Sequence, residues 1–398
     1  MRILHTSDWH LGRSFHRENL LGAQAAFVDH LVATVRAERV NVVVICGDVY
    51  DRALPPVDAV ALCDESLRRI RDAGAAAVVI SGNHDSARRL GFGSALFETA
   101  GVYLRTDADR VGEPVPLADR HGPVAVYGIP YLEPDVVRGP WALPERGHRA
   151  ALGAAMDRIR ADLTRWPAGT RSVVLSHAFV TGGDSPAGDE SSDSERDISV
   201  GGAAHVPAGT YHGVDYVALG HLHGRRELGW TIRYSGSPLA YSFSEEHHRK
   251  GCWLVDLGPS GVDSVEFVPA PVPRRVARIR GRIDDLLTAP EWDAHAACWL
   301  QVTLTDPARP REAMDRLRTR FPHTLALGFE PDGGRPQDTR SWAARTRHRD
   351  ATQIALDFVA EVRGEPADAE EAALLRAAIE QAGHAGRAEY AQRDGAAV

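Results

Sequence analysis

The chain has 398 residues, of which 43% are hydrophobic and 25% charged, a balance that excludes a disordered or fibrous polymer and suits more than one folded domain. Its formal net charge of −8 excludes a global pull toward nucleic acid, so any DNA contact needs a local basic patch. The opening "MRILHTSDWH" has no charged leader before a long apolar run, and no stretch nears the ~18 apolar residues of a membrane span, so a soluble cytoplasmic protein is expected.

Short β-branched runs alternate with amphipathic stretches through residues 1–270, the pattern of a mixed α/β domain. In chain order the strand candidates are "RILHT", "NVVVIC", "AAVVIS", "VAVYGI", "SVVLS" and "DYVAL". Between them, residues 20–39 place Ala23, Phe27, Leu31 and Val35 at helical spacing, and residues 57–71 do the same with Val60, Cys63, Leu67 and Ile70. Residues 182–199, "GGDSPAGDESSDSERDIS", read as a long acidic surface loop. The clustered prolines of "PAPVPRR", residues 269–275, interrupt both helix and sheet and mark a linker.

Beyond it, residues 271–345 form a smaller α+β unit: "RVARIRG", then "WLQVTLT" with Leu300, Val302 and Leu304 on one face, a short helix near Met314, and "TLALGFE". This unit is rich in arginine, at 274, 275, 278, 280, 282, 316, 318 and 320, a possible phosphate-contacting face. Residues 346–398 read as two short helices, with Ile354, Phe358 and Val362 on one stripe and Ala372, Leu375 and Ile379 on another, separated by "RGEPAD". Neither stripe can be buried by so small a pair alone. Cys46, Cys63, Cys252 and Cys298 are scattered singly, which suits buried free thiols in a reducing compartment.

Five polar clusters each follow an apolar run: "SDWHLG" with Asp8 and His10, "GDVYD" with Asp48 and Asp51, "GNHD" with Asn83, His84 and Asp85, "SHAF" with His177, and "GHLHG" with His221 and His223. One such cluster is ordinarily a turn, because Gly and Asn tolerate positive φ and Asp caps the next helix. Five carrying hard oxygen and imidazole donors in this order point to one crevice at the carboxyl ends of the strands, and to divalent metals. The glycines of "GHLHG" would let its two imidazoles diverge around a tight bend. His5, His16 and His212 are left without a role. No GxxxxGK[ST] loop is present, so ATP hydrolysis by that route is excluded.

The order DxH, GDxxD, GNHD, H, GHxH resembles the calcineurin-like metallophosphoesterases. With "ILHTSDWHLG", "SERDISVGG" and "GHLHG…RYSGSPLAYSFSE" it is similar to the SbcD-type nuclease subunits, bacterial relatives of the double-strand-break repair nuclease. The resemblance implies a β-sandwich flanked by helices, followed by a small α+β capping domain and C-terminal helices. It implies two divalent ions, Mn2+ with Mg2+ as the second candidate. One would be held by Asp8, His10, Asp48 and His223, the other by Asp48, Asn83, His177 and His221, with Asp48 bridging.

His84 would protonate or stabilise the leaving oxygen, Asp85 would orient it, and Asp51 would support the metal shell from outside; for Asp51 and Asp85, turn capping is the competing reading. The implied activity is exo- and endonucleolytic hydrolysis at DNA ends and hairpins, without base specificity. The implied partners are an SbcC-type coiled-coil ATPase, docked on the C-terminal helices, and a second copy paired through residues 57–71 and 88–99. Two rival readings stay open: a phosphodiesterase for small substrates such as cyclic nucleotides, and a non-catalytic DNA-end tether with structural metals.

Overall fold

The computed structural model describes residues 1–182, 195, 205–332, 349–363 and 365–394. Most of the acidic 182–199 loop, including "SERDISVGG" apart from Glu195, lies outside the described residues, as does the expected boundary at 345. The chain forms two compact units, Met1–Asp332 and Gly333–Val398. No helix among the described residues is long and apolar enough to cross a membrane.

The first unit is built on two six-stranded sheets. One sheet contains β1 (Arg2–Thr6), β2 (Val42–Cys46), β3 (Ala76–Ile80) and β4 (Val102–Arg105). The other contains β5 (Val115–Asp119), β6 (Gly122–Ile129), β7 (Arg171–His177), β8 (Tyr216–Gly220), β9 (Arg226–Glu227) and β10 (Ile232–Tyr234). The hairpin β11 (Gly251–Gly258) and β12 (Gly261–Pro269) completes the first sheet, giving the order β12-β11-β1-β2-β3-β4; the second runs β9-β10-β8-β7-β6-β5. Strands β1 to β4 pair in parallel, as do β6, β7, β8 and β10.

Parallel strands covered on both faces need near-continuous apolar sequence, and every residue of "VVVIC" in β2 is buried. Between the sheets lie Val44, Cys46, Val78 and Ile80 from one and Val126, Val173, Leu175 and Ala218 from the other. Helices α1 (Leu21–Ala37) and α2 (Val57–Asp72) cover the outer face of the first sheet through Phe27, Leu31, Val35, Cys63 and Ile70. Helix α3 (His148–Leu163) covers the second through Ala151, Leu152, Ala155, Met156 and Ile159. This is the expected β-sandwich flanked by helices. All four cysteines are buried and unbridged.

A three-stranded parallel sheet follows, made of β13 (Val276–Gly281), β14 (Trp299–Leu304) and β15 (Thr324–Phe329), with helix α4 (Ala313–Arg320) against it. Leu300, Val302 and Leu304 alternate into its core as their spacing requires. Its arginines are mostly occupied: Arg278 pairs with Glu246, Arg280 with Glu330, Arg316 with Asp284 and Arg320 with Asp293. The second unit contains α5 (Ala351–Arg363) and α6 (Ala369–Asp394), tied by a bidentate Arg363–Glu371 pair at 2.7 and 2.6 Å. The second helix is 26 residues, longer than the sequence pattern suggested, because its alanine-rich stretch runs on through Gly383 and Gly386.

The sheets are also tied at the end remote from the ligand loops. Arg171, at the start of β7, is 2% exposed and grips Asp119 at 2.7 and 3.0 Å, the Gly122 carbonyl at 2.8 Å, and the Gly258 carbonyl of the other sheet at 3.2 Å. The guanidinium holds the Asp119 carboxyl well below its ordinary range. Asp119→Ala, which strands a buried charge, is expected to cost up to about 3 kcal/mol. Because the folded pKa is depressed, the Asp119 contribution is present above the unfolded value near ~3.9 and is lost as pH falls through the folded value. The gap in urea midpoint between wild type and Asp119→Asn should therefore be full at neutral pH and narrow in strong acid.

Candidate metal centre

Each ligand loop leaves the carboxyl end of a strand: Asp8 and His10 after β1, Asp48 after β2, Asn83 and His84 after β3, His177 at the end of β7, and His221 and His223 after β8. The parallel arrangement brings all five ends to one edge of the sandwich, and the side chains meet there. Ligand atoms of Asp8, His10 and His223 lie within 4.8 Å of one another, as do those of Asp8, Asp48 and His177, and those of His10, Asp48 and His84. Asp8, His10, Asp48, His177, His221 and His223 are all buried.

Asp48 sits between the histidine sets. Its Oδ2 is 3.7 Å from His10 Nε2 and 3.6 Å from His177 Nε2, while Oδ1 accepts the His84 backbone N–H at 2.8 Å. Asp8 accepts the His221 backbone N–H at 3.0 Å, which links the first sheet to the loop after β8. Burial, reinforced by the charge of Asp48, raises the Asp8 carboxyl well above its ordinary value. Burial drives the imidazoles the other way: His177 falls to about 4, and His10 and His221 are also pushed well down.

The donor set fits divalent cations. His177 gives its Nδ1–H to the Cys46 carbonyl at 2.9 Å, which leaves Nε2 as a lone pair facing Asn83 Oδ1, another acceptor, at 2.9 Å. His223 gives Nδ1–H to Glu245 at 3.1 Å, leaving its Nε2 lone pair 3.0 Å from His10 Nε2. His10 Nδ1 is buried without a hydrogen-bond partner. The His177 lone pair facing the Asn83 oxygen beside two buried carboxylates is an arrangement that positive charge relieves.

The supporting residues differ in part from the sequence expectation. Asp51 lies 3.8 Å from His10 Nδ1 and pairs with Arg13 at 3.2 Å. The hydrogen bond that holds the His84 ring runs from Nδ1–H to the Asp51 backbone carbonyl at 2.8 Å. Asp85 instead turns to the amides of Val49, Tyr50 and Gly82 at 3.0, 2.9 and 2.9 Å and clamps the loops after β2 and β3 together. Turn capping, the competing reading, describes this geometry, and burial followed by the charge of Asp48 raises its carboxyl to about 7. His5 is a core residue bonded to Tyr216 and the Leu219 carbonyl.

Three further residues support the centre without having been assigned a role from the sequence. Gln24 of α1 donates to the carbonyls of Trp9 and His10 and accepts from Gly12, which fixes the first loop. Glu195 accepts the His223 backbone N–H at 2.6 Å. Glu245, the last residue of "SFSE", backs the His223 ring and is itself bonded by Lys250. Burial alone would raise the Glu245 carboxyl, but Lys250 and then His223 hold it well below the ordinary range.

The glycine before His221 serves a purpose different from the one expected. Gly220 is not in the left-handed region; a Cβ there would sit 1.9 Å from the Cys46 carbonyl oxygen, so its absence lets the ends of β8 and β2 touch. The bend is taken by His221 itself, at φ 105°.

With this geometry in place, the comparisons agree. The chain belongs to the calcineurin-like phosphoesterase family, whose model matches residues 1–225. The SbcD C-terminal domain model, described as the type 5 capsule protein repressor C-terminal domain, matches residues 272–363, and the two together are those of an SbcD-type nuclease subunit.

Among solved structures the chain is similar to TT1561 of Thermus thermophilus, at 14% identity over 67% of this chain and 98% of that one, with a TM-score of 0.38. It is also similar to the sulfate thiohydrolase SoxB of the same organism, at 14% identity over 68% and 56%, with a TM-score of 0.35. GAP50 of Plasmodium matches at 10% identity over 84% and 98%, again at 0.35. The family assignment stands on the models and not on these three.

Gly220→Ala should force the two strand ends apart, destabilise the protein by about 1–3 kcal/mol and weaken divalent-metal binding. Gly22→Ala in α1, where nothing lies within 4 Å of the added carbon, should instead be neutral or stabilise by up to about 1 kcal/mol. Thermal melting with and without chelator, together with Mn2+ titration calorimetry, separates the two.

Proposed function

We propose that the chain is a Mn2+-dependent DNA exo- and endonuclease, hydrolysing phosphodiesters at ends and hairpins as the D subunit of an ATP-dependent SbcCD-type repair and recombination assembly in the cytoplasm. The observation that carries this reading is Asp48, buried between two histidine sets and within 4 Å of both. One ion would be held by Asp8, His10, Asp48 and His223, and a second by Asp48, Asn83, His177 and His221. A donor set of oxygen and imidazole without thiolate suits Mn2+, Mg2+, Fe or Zn2+ alike, and the choice of Mn2+, with Mg2+ second, follows the family resemblance.

When bound, two divalent ions supply the charge that offsets phosphate oxygens and acidify an attacking water. The protein groups do the rest. His84 commits Nδ1–H to the Asp51 carbonyl, so Nε2 is the atom that carries a proton to the departing sugar oxygen. Asp51 holds His84 through its backbone carbonyl; Asp85 fixes the loops that present Asp48 and Asn83.

On this reading residues 1–270 are the nuclease domain, 271–345 the capping domain, and 346–398 the helices that dock the coiled-coil ATPase. Support for the last comes from Phe358, Val362 and Leu374, large apolar residues left exposed on α5 and α6. A C2 dimer would pair the surfaces around α2 and residues 88–99. Leu54, Val57, Phe92 and Leu96 are exposed there, Val57 and Phe92 by more than 80%, and Arg89 bridges the two segments through the Ala53 carbonyl.

A cleavage assay on hairpin and linear duplex DNA, with Mn2+ and with or without the ATPase partner, tests the activity. His84→Ala should lose about 10²–10⁴-fold in turnover while Mn2+ binding by calorimetry is kept. Wild-type protein that cuts neither substrate under any of these conditions would overturn the nuclease reading. Phe92→Glu should shift sedimentation from dimer to monomer; a wild type that sediments as a monomer removes the pairing.

A further inference from the structure

Lys250 is the only lysine in a chain with 46 Lys and Arg residues; every other cationic position is arginine. It is also buried, 5% exposed. Its ammonium group meets three oxygens, the His223 backbone carbonyl at 2.9 Å, Ser237 Oγ at 2.9 Å and Glu245 Oε2 at 2.5 Å, with His248 Nδ1 farther off at 3.5 Å. An ammonium carries three hydrogens on a compact tetrahedral nitrogen, one for each. A guanidinium is a flat fork and cannot aim three donors at oxygens gathered around one point.

Two of those three contacts converge on one residue. The first holds the main chain of His223; the third holds Glu245, whose other oxygen accepts the His223 Nδ1–H at 3.1 Å. His223 is thereby fixed at backbone and ring, with Nε2 turned into the centre 3.0 Å from His10 Nε2. A buried ion pair is a poor stabiliser, since apolar residues of the same volume often serve as well, so stability alone does not account for keeping one lysine here.

We infer that Lys250 is a positioning residue for the metal centre: through Glu245 and the His223 carbonyl it locks the tautomer and direction of the His223 imidazole, and so sets the affinity of the site that contains Asp8, His10 and His223. This rests on the two-metal reading above. It predicts a defect confined to one of two ions, which a general loss of stability would not give.

The test uses full-length Lys250→Met, Lys250→Arg and Lys250→Met/Glu245→Gln, with Mn2+ binding measured by two-site calorimetry and melting followed in chelator. Both single variants should bind one Mn2+ about 10-fold or more weakly and the other normally, as loss of an outer partner of a ligating histidine does. The Mn2+ concentration for half-maximal DNA cleavage should rise by the same factor. Retaining charge in Lys250→Arg should not rescue the site. Folded Lys250→Met or Lys250→Arg with wild-type affinity at both sites overturns the inference. If Lys250→Met fails to fold, the double variant, which strands no charge, decides it by the same criterion. Wild type that binds two Mn2+ without cutting DNA defeats the nuclease reading alone; wild type that binds none defeats both.

Discussion

Two carboxylates, Asp8 and Asp48, must stay buried beside one another, and much of the molecule is arranged to make that possible. An unpaired buried charge is costly, so each carboxylate is met by a backbone N–H from another loop: Asp8 by His221 across the sheets, Asp48 by His84 from the neighbouring strand. The same contacts stitch the sandwich together at its ligand edge. His177 reaches back to the Cys46 carbonyl, and Gly220 lies against that same carbonyl. Site and fold therefore share their hydrogen bonds, while Arg171 and Asp119 close the opposite end.

Holding these loops takes backbone strain as well as hydrogen bonds. Asp8, His10, Asp48 and His221 all adopt positive φ, four of the nine non-glycine residues that do so in the described chain. Such conformations cost of order 1–3 kcal/mol each and persist only where the surroundings over-determine them. Here the surroundings are strands β1, β2 and β8, buried on both faces, with Gln24 and Asp85 pinning the loops that emerge from them. The strain is concentrated where the donor atoms are, and the rigid sheets absorb it.

This division explains what was legible in the sequence. The candidate ligand positions could be read because each follows an apolar run that suits a buried strand, and the strand order then brings the loop ends together. β4, β5, β9, β10, β11 and β12 were missed: in β5 and β12 polar residues such as Asp119 and Glu266 sit among apolar ones, so neither alternation nor continuity stands out, β9 and β10 are only two and three residues long, and the short apolar runs of β4 and β11 carry no motif at their ends. The roles of Glu245, although it closes a quoted motif, and of Gln24 were not readable for another reason, since they are defined by partners 22 and 14 residues away that only the fold brings near. Gly220 was noticed but misread, because close approach of another chain segment leaves no local signature. Lys250 did leave a signature, as the one lysine among arginines, which composition alone records and motif reading passes over.

The charge distribution constrains how a phosphodiester could reach such a centre. Two buried carboxylates repel a polyanion, and the chain as a whole is at −8. The arginines that looked available around the three-stranded sheet are largely spent. Four of them pair with Glu246, Glu330, Asp284 and Asp293, and Arg274 and Arg318 donate to the Ala297 and Thr324 carbonyls. Arg13, next to the ligands, is already paired with Asp51. On the proposed function, then, the bound ions and the ATPase subunit add to the positive charge that meets DNA. Metal occupancy would precede substrate, and the nuclease subunit alone would hold DNA weakly. A centre that is electrostatically closed until it is loaded gives a physical reason for coupling cleavage to assembly.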